Sequence, residues 1–520
     1  MRKSTSGLSR RRFLETGAAI AAATTLPIGA VHAQGTKYIR YNATSPEGQA
    51  MLAGYDKAIQ TMLALPSSHP HNWFRNAFIH TLDCPHGNWW FFVWHRPYIG
   101  WFEQTVRMYS GNPNFAFPYW DWTQIPVIPN TMFRGALTPN SQYYAPYIPD
   151  FPTFRKFIGN TLDFYWNDPA QTEQLVIRGM PTQDALWSQV TGNPMFATNE
   201  HARWIPQTSP GLQPDVAKMC ALPTIMDGLA PTTFIPFNSQ ISPSHNSPPV
   251  RGGFGILEGL PHNNVHNNVG GAVTGVPPAD YGFMQDNLSP VDPLFFLHHS
   301  NMERLWDVWT RKQQAMKLPT LPTDPTELAI WQNEPFLFYI NSKGLPVAQN
   351  KAGDYETVGQ FDYTYQPGSG DQSIHAPRIA AVNAMFAGTT AGSSGTVPVS
   401  GALAQALAAN GKHTVVAQVT VPRPGPNGPR SYDITVNAPP GAPTGPNSPY
   451  YVATIAFFGN MPNMPMESTF TVPLTRLRTS LVGKIGGALH FQIGAQGKVG
   501  AHGHALTASP KLGAVSVEVW

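Results

Sequence analysis

The pattern of apolar and polar positions predicts helices in the first two thirds of the chain. In residues 45–65, SPEGQAMLAGYDKAIQTMLAL, Ser45 can cap a helix and Pro46 can take its first position. An apolar stripe at helical spacing follows, formed by Leu52, Tyr55, Ile59 and Leu63. Residues 123–255 contain much Pro, Asn and Gly, which predicts long loops with short helices. We therefore predict a mainly α-helical domain over residues 34–365.

The pattern changes near residue 366. The stretch QPGSGDQS opens a segment rich in Pro, Gly, Ser and Ala that runs to about residue 400. This composition predicts a linker over 366–400. Short alternating runs such as HTVVAQVTV, SYDITV and YYVATIAFF follow, separated by turn residues. We predict that residues 401–520 form an antiparallel β-sandwich or barrel.

The first 33 residues have the pattern of a targeting segment. SRRRFL (Ser9–Leu14) precedes an Ala-rich apolar run, with small residues suited to cleavage near Ala33. The paired arginines resemble a twin-arginine export signal. We predict a signal peptide over 1–33 and a periplasmic or secreted protein with no membrane span in its mature form. The alternative is an uncleaved N-terminal anchor.

Charge and cysteine content narrow the function classes. The formal net charge is +3, but the first 15 residues hold five basic residues and one acidic residue, so the rest is close to neutral. A nucleic-acid partner is therefore not expected. Two cysteines, Cys84 and Cys220, cannot form a disulfide framework, although a single bridge between them stays open.

Two windows concentrate histidines among aromatic residues. The first, HTLDCPHGNWWFFVWHRPYIGWFE (80–103), contains His80, His86 and His95. His95 shares one helical face with apolar residues, namely Ile99, Phe102, Val106 and Tyr109. A buried imidazole without a partner is costly, so this window predicts a bound group that compensates its histidines.

The second window repeats this arrangement. In EGLPHNNVHNNVGG (258–271), His262 and His266 lie four residues apart and face the same side of a helix. In DPLFFLHHSNMERLWDVW (292–309), His299 lies on an apolar stripe, whereas His298 is turned about 100° away. His298 therefore suits a supporting role beside a metal ligand rather than ligation itself.

Six neutral imidazoles without a carboxylate or thiolate favour copper, and less strongly zinc, over iron or manganese. Two sites of three histidines each, with room for a further ligand, suit a pair of ions that share a small molecule. The alternative is a set of ordinary core and surface histidines.

The quoted windows closely resemble the two copper signatures of the tyrosinase and polyphenol oxidase family, the type-3 copper proteins. The resemblance extends from about residue 36 to 365. It implies a four-helix bundle that holds two copper ions and uses O₂ as co-substrate. Copper A would be bound by His80, His86 and His95, and copper B by His262, His266 and His299. Glu303 stands where the second signature usually has Asp.

The resemblance also gives roles to residues beside the histidines. It implies a thioether between Cys84 and His86, with a Cys84–Cys220 disulfide and a free buried thiol as alternatives. Glu258 and Asn263 occupy positions that orient a water for deprotonation of monophenols in the family. Their alternatives are a helix-capping Glu and a turn-forming Asn. Phe283 and Met284 lie in the region of the family's gate residue.

The implied reaction is copper-dependent oxidation of small phenols by O₂. Monophenols would be ortho-hydroxylated and o-diphenols oxidised to o-quinones. The alternatives are a catechol oxidase that performs only the second step and a hemocyanin-like O₂ carrier. The sequence leaves a homo-oligomer open.

The C-terminal part resembles the shielding domain of plant polyphenol oxidases. RSYDITVN and VSVEVW resemble its first and last strands, and DYTYQP resembles the Tyr-x-Tyr element that ends the catalytic domain. The resemblance implies a latent enzyme whose copper pocket is plugged until the domain is displaced, for instance by cleavage in the linker. The alternative is a passive stabilising domain.

Overall fold

The computed structural model describes residues 37–144, 150–156, 160–190, 202–271, 282–377, 384–408, 413–424, 429–459, 466–474, 487–495 and 510–520. The predicted signal peptide lies outside these ranges. Within them, no helix is long and apolar enough to cross a membrane.

Helices dominate the described residues before 377, and one further helix lies beyond them. The α-helices are α1 (Pro46–Ala64), α2 (Trp73–Asp83), α3 (Phe91–Ser110), α4 (Phe151–Phe154), α5 (Asn160–Asn167), α6 (Pro169–Ile177), α7 (Gln183–Val190), α8 (Pro214–Met219), α9 (Leu222–Leu229), α10 (Phe234–Phe237), α11 (Asn263–Gly270), α12 (Leu294–Ala315), α13 (Pro325–Asn333) and α14 (Gly401–Ala408). Helix α3 packs against both α1 and α12. As predicted, Ser45 caps α1, accepting a hydrogen bond from the Gly48 N–H.

The strands fall into one short pair and two larger sheets. They are β1 (Tyr38–Arg40), β2 (Tyr363–Tyr365), β3 (Ala384–Ala387), β4 (Thr389–Ala391), β5 (Ser394–Pro398), β6 (Val415–Pro422), β7 (Ser431–Val436), β8 (Tyr451–Ala456), β9 (Glu467–Pro473), β10 (Ala488–Ala495) and β11 (Ala514–Val519). The sheet orders are β4-β5-β10-β7-β8 and β3-β11-β6-β9, and all neighbours in both are antiparallel. Alternate apolar side chains of both sheets form a second hydrophobic core. The predicted fold class, helical followed by antiparallel β, is confirmed.

The linker prediction is wrong for residues 384–398. They form β3, β4 and β5, which pair with β11 and β10 or with each other. Close packing, rather than flexibility, accounts for Gly388 and Gly395. A Cβ on Gly395 would lie 2.7 Å from side-chain atoms of Leu512 and Val515, and one on Gly388 would lie 2.7 Å from the Thr396 carbonyl oxygen. Residues 371–375 form a 3₁₀ turn against α12.

The two ends of the helical part are joined by a buried charge cluster. β1 pairs in parallel with β2, so that Arg40 lies opposite Tyr365. The guanidinium of Arg40 stacks on Tyr363 at 3.6 Å and donates hydrogen bonds to Glu103 at 2.9 Å and to Glu303 at 3.3 Å. The Tyr-x-Tyr element therefore fastens the end of this domain to its first strand.

The helical part covers one open edge of each sheet. β8 and β9 are edge strands, whose outer backbone groups need partners. The backbone of Phe254 hydrogen-bonds to β9, donating to the Thr469 carbonyl at 2.7 Å and accepting from the Thr471 N–H at 3.2 Å. Helix α11, from the second histidine window, hydrogen-bonds to β8 through its side chains. The second domain is thus held directly against the histidine-bearing helices.

Candidate metal centre

The first histidine group is built by α2, α3 and the loop between them. His80 lies in the last turn of α2, His95 lies on α3, and His86 lies in the connecting loop. The Nδ1–H of His80 donates to the Asn287 carbonyl oxygen at 2.6 Å, and that of His95 donates to the Phe91 carbonyl oxygen at 2.7 Å. Because carbonyl oxygens only accept, Nε2 of both rings carries the free lone pair.

The second group begins in a π-helical turn. Residues 258–262 form this turn, with Pro261 inside it, and α11 continues from it. Such turns are rare and occur frequently at functional sites. His262 Nδ1 is 2.9 Å from Asn263 Oδ1, and His266 Nδ1 donates to the Met284 carbonyl oxygen at 2.6 Å. Nε2 is again the atom left for a ligand.

The two groups face each other across one pocket. His80, Cys84, His86 and His95 form one cluster, and His262, His266, His298 and His299 form the other; the potential ligand atoms within each cluster lie within 4.8 Å of one another. Across the gap, the ring centroids of His95 and His299 are 4.0 Å apart, and those of His86 and His262 are 5.9 Å apart. Two metal ions could therefore share a small ligand.

Hydrogen bonding distinguishes the two adjacent histidines of α12, His298 and His299. The indole N–H of Trp122, which can only donate, points at His298 Nδ1 at 3.2 Å. A neutral His298 must then carry its proton on Nε2, which leaves it no lone pair for a metal. His299 Nε2, by contrast, lies 3.0 Å from His266 Nε2. With the proton of His299 on Nδ1, both Nε2 atoms would offer lone pairs to one cation.

The donor set fits copper. Nε2 of His80 and Nε2 of His262 are buried and have no hydrogen-bond partner among the described residues. Burial holds the pKa of the histidines below the ordinary value, to about 3 for His95. The rings are therefore neutral at physiological pH, as metal ligation requires. Six neutral imidazoles favour copper among the common metals.

Comparison with known proteins agrees with this geometry. The family model named common central domain of tyrosinase matches residues 54–312. The chain belongs to the tyrosinase family. This family binds a pair of copper ions, and the two buried histidine groups fit its copper A and copper B.

Individual relatives extend the comparison beyond the central domain. The chain is 25% identical over 349 residues to tyrosinase HcTyr1 of Hahella sp. (strain CCB-MM4), covering 61% of this chain and 60% of that protein. It is 23% identical to chloroplastic polyphenol oxidase II of Ipomoea batatas, covering 61% of this chain and 48% of that protein. The chain thus matches less than two thirds of the length of either relative.

A solved structure shares the fold of both domains. It is a latent aurone synthase (polyphenol oxidase) from natural source, 19% identical, with a TM-score of 0.56. The superposition covers 94% of this chain and 90% of that one. At this identity the likeness concerns the fold alone, namely the helical domain followed by antiparallel sheets.

Cys84 lies at the first tyrosinase copper site as a thiol. Its Sγ is 3.8 Å from His86 Nε2 and 3.4 Å from His95 Nε2. Both Cys84 and Cys220 are free and buried, so the alternative of a disulfide between them is not formed. Burial raises the pKa of the Cys84 thiol well above its ordinary value, which keeps it protonated. The thioether to His86 stays a prediction.

Glu258 connects the two halves of the tyrosinase site. Its carboxylate accepts a 2.6 Å hydrogen bond from the Gly87 N–H, beside His86, and another from the Ser239 hydroxyl. Burial raises the pKa of Glu258 to about 8, although these two bonds act in the opposite direction. A carboxyl with this pKa can take or hold a proton near neutral pH.

Asn263 is engaged at both ends of its amide. Its Oδ1 faces His262, and its Nδ2 donates to the Ala456 carbonyl oxygen of β8 at 2.8 Å. With β8 in this position, one of the two Nδ2 hydrogens of Asn263 is given to the second domain.

Phe458 is a site residue that the sequence did not single out. Its ring centroid lies 4.2 Å from that of His266, 4.7 Å from His86 and 5.6 Å from His262. The signal was present in YYVATIAFF, because consecutive aromatic residues at a strand end cannot both face the sheet core. Phe457 packs on Phe470 in that core, and Phe458 points the other way, into the tyrosinase pocket.

The predicted gate residues have backbone roles in this structure. Met284 supplies the carbonyl oxygen that orients His266, and the Phe283 N–H donates to the Ala202 carbonyl oxygen at 2.8 Å. Both side chains are buried. A gating role for either stays a prediction.

Substitution of the paired histidines tests the tautomer assignment. His299→Ala should lower bound copper from two ions to one per chain, because it removes a ligand. His298→Ala should keep both ions and weaken the second by about 10- to 100-fold, as loss of a supporting partner does. Copper per chain, measured by atomic absorption after dialysis against graded chelator, distinguishes the two. Loss of one ion from His298→Ala alone would reverse the assignment.

Proposed function

We propose that this chain is a copper-dependent tyrosinase that uses O₂ to hydroxylate small monophenols at the ortho position and to oxidise o-diphenols to o-quinones. Each monophenol and one O₂ would give one o-quinone and one water. The observation that carries the proposal is Glu258, a buried carboxyl of raised pKa that touches both histidine-bearing segments. The bound copper pair would supply the O₂ chemistry.

The protein's own residues would prepare the phenol. Aromatic rings around the histidines, such as Phe91 at 4.7 Å from His262 and Phe295 at 4.1 Å from His299, exclude water from the pocket. A monophenol must lose its proton before it is oxidised, and Glu258 is the acceptor that we propose. Asn263 would hold the water that relays this proton once its Nδ2 is released from Ala456.

A catechol oxidase is the second candidate, and one observation favours it. Asn263 gives its amide hydrogen bond to β8, and both oxygens of Glu258 already accept hydrogen bonds. If these contacts persist in the active state, Glu258 and Asn263 have less hydrogen-bonding capacity left to activate a monophenol. An o-diphenol is a stronger acid and needs less assistance, so its oxidation would continue.

The decisive comparison is between tyrosine and L-DOPA on the same protein. Glu258→Gln should lower tyrosine oxidation by about 100-fold or more, the usual contribution of a positioned proton acceptor, and L-DOPA oxidation by less than about 3-fold. Copper per chain must remain at two, because Glu258 also holds the Gly87 N–H. Equal losses on both substrates would remove Glu258 from the proton transfer. Wild-type protein that oxidises only L-DOPA would be a catechol oxidase.

We also propose that the enzyme is latent, with Phe458 as the plug. Three asparagine amides of α11 hold the plugging segment by its backbone. Asn264 donates to the Thr454 carbonyl oxygen at 2.7 Å, Asn263 to that of Ala456, and Asn267 to that of Phe457 at 3.0 Å. These carbonyl groups point outward from an edge strand and its extension, and water could donate hydrogen bonds to them equally well. Release of the segment therefore costs little hydrogen bonding.

The remaining expectations are also proposals. The signal over 1–33 would export the folded, copper-loaded protein to the periplasm or beyond, and the substrates would be small phenols. A signal-deleted variant should stay in the cytoplasm when expressed in a bacterium that has the twin-arginine pathway.

A further inference from the structure

A second group of buried ionisable side chains lies behind the loop between α2 and α3, which carries His86. His245 is at its centre, between two carboxylates on separate segments of the chain. Its Nε2 is 2.8 Å from Asp83 Oδ1, and its Nδ1 is 2.5 Å from Glu334 Oε1. The rings and carboxylates are shielded from solvent, and none of these residues belongs to the pocket of the six histidines.

Asp83 connects His245 to both segments that carry copper A ligands. It ends α2, one residue before Cys84 and three before His86. Its second oxygen, Oδ2, accepts the indole N–H of Trp94 at 2.9 Å, and Trp94 directly precedes His95. One carboxylate thus ties the loop that carries His86 to the helix that carries His95.

Neighbouring contacts hold the same loop from the other side. Arg178 donates to the Thr81 carbonyl oxygen at 2.9 Å and to that of Cys84 at 2.7 Å, which satisfies the end of α2. It also donates to Oδ1 of Asn246, the residue after His245, at 2.8 Å. The segment 245–246 therefore reaches the loop that carries His86 both through Asp83 and through Arg178.

The geometry favours a charged imidazole. Both ring nitrogens face carboxylate oxygens, which only accept hydrogen bonds, so a proton on each nitrogen satisfies both contacts. Asn246 Nδ2 also lies 3.0 Å from His245 Nε2, but it has Gln174 Oε1 as an acceptor at 3.1 Å. Burial alone would lower the pKa of His245, but Asp83 and Glu334 outweigh it and raise the pKa to about 9.

Among the described residues, four further ionisable groups interact with Asp83, namely Cys84, Tyr165, Arg178 and Tyr339. Arg178 reaches the cluster through Asn246, and the Tyr339 hydroxyl donates to the Trp94 carbonyl oxygen at 2.7 Å.

We propose that His245 is a positioning residue for copper A: as a cation between Asp83 and Glu334, it holds the Asp83 carboxylate where it joins the His86 loop to the His95 helix. The inference rests on the proposed function, since it assumes copper at His80, His86 and His95. Without the cation, the two carboxylates face each other and repel. Asp83 then holds Trp94 and the loop less firmly, so copper A loosens while copper B does not.

Copper binding as a function of pH tests the proposal in the unaltered chain. Metal ligation by histidine ordinarily strengthens as pH rises, because the rings lose competing protons. The imidazolium of His245 is present below pH 9 and lost above it, so we expect the opposite for one ion. Wild-type protein in a fixed copper chelator should hold two ions at pH 7 and only one above about pH 9.5. Two ions retained to pH 10 would overturn the proposal.

Variants separate this role from a general structural one. His245→Gln should weaken one of the two ions by about 10- to 100-fold at pH 7, the effect typical of a lost supporting partner, and should remove the step near pH 9. His245→Lys keeps a cation between the carboxylates and should bind the ion within about 3-fold of wild type. Equal weakening in both variants would overturn the charge-based role.

His71→Gln is the matched control. His71 is also a buried histidine beside α2, but its ring nitrogens face the Tyr109 hydroxyl at 3.1 Å and the Asn341 carbonyl oxygen at 2.9 Å, with no carboxylate. This variant should bind copper as wild type does. Wild-type protein that takes up fewer than two ions at pH 7 would overturn the proposed function and this inference together. Two tight ions in both wild type and His245→Gln would overturn this inference alone.

Discussion

Replacement of Phe458 by alanine should raise the rate of L-DOPA oxidation by the full-length chain by about 10- to 100-fold. The ring occupies the space between His86, His262 and His266, where a substrate ring would have to lie. Burial of a phenylalanine side chain is worth about 1.5–3 kcal/mol, and each 1.4 kcal/mol changes an equilibrium tenfold. Loss of the ring removes its competition with the substrate for this space, without cleavage of the chain.

Phe457→Ala is the control for this experiment. Its ring packs on Phe470 at 5.1 Å inside the sheet core, so its loss should destabilise the second domain without emptying the pocket directly. The initial rate with L-DOPA, at equal copper content, is the measurement. Tyrosine oxidation should gain less than L-DOPA oxidation in Phe458→Ala, because Asn263 still binds Ala456. An unchanged rate with both substrates would mean that the second domain does not act as a plug.

Glu303→Ala should lower the free energy of unfolding of the helical domain by about 3–5 kcal/mol, the cost of breaking a buried ion pair. Glu303 accepts from Arg96 at 2.7 Å and from Arg40 at 3.3 Å, and it also binds the Tyr365 hydroxyl. The two arginines outweigh burial and hold the pKa of Glu303 below its ordinary value. Its removal leaves two fully buried guanidinium groups without this counter-charge.

Glu303→Asp is the informative partner, because the family usually has Asp at this position. The shorter side chain should lose one of its two arginine contacts and cost about 1–2 kcal/mol. Tryptophan fluorescence during urea unfolding reports on this domain, since 13 of the 14 tryptophans precede residue 332. If Glu303→Ala unfolds at the same urea concentration as wild type, the cluster does not stabilise the domain.

Four of the six proposed copper ligands were accessible from helical spacing. His262 and His266 are one helical turn apart, and His95 and His299 lie on the apolar stripes of their helices. The roles of His80 and His86 came from the resemblance to the family's first copper signature. The α-then-β organisation follows from a change in period along the chain. The linker is the exception, since Gly388 and Gly395 have the composition of a flexible segment but lie where strands pack closely.

Other features depend on residues that are far apart in sequence, and a local pattern does not reveal these partners. The tautomer of His298 is determined by Trp122, which lies 176 positions away. His245 becomes a cation because the fold brings Asp83 and Glu334 to its two nitrogens. Phe458 reaches the histidines only because α11 accepts the edge of β8. Composition and periodicity therefore identify the metal-binding groups, whereas long-range packing decides their protonation, their support and what occupies the pocket between them.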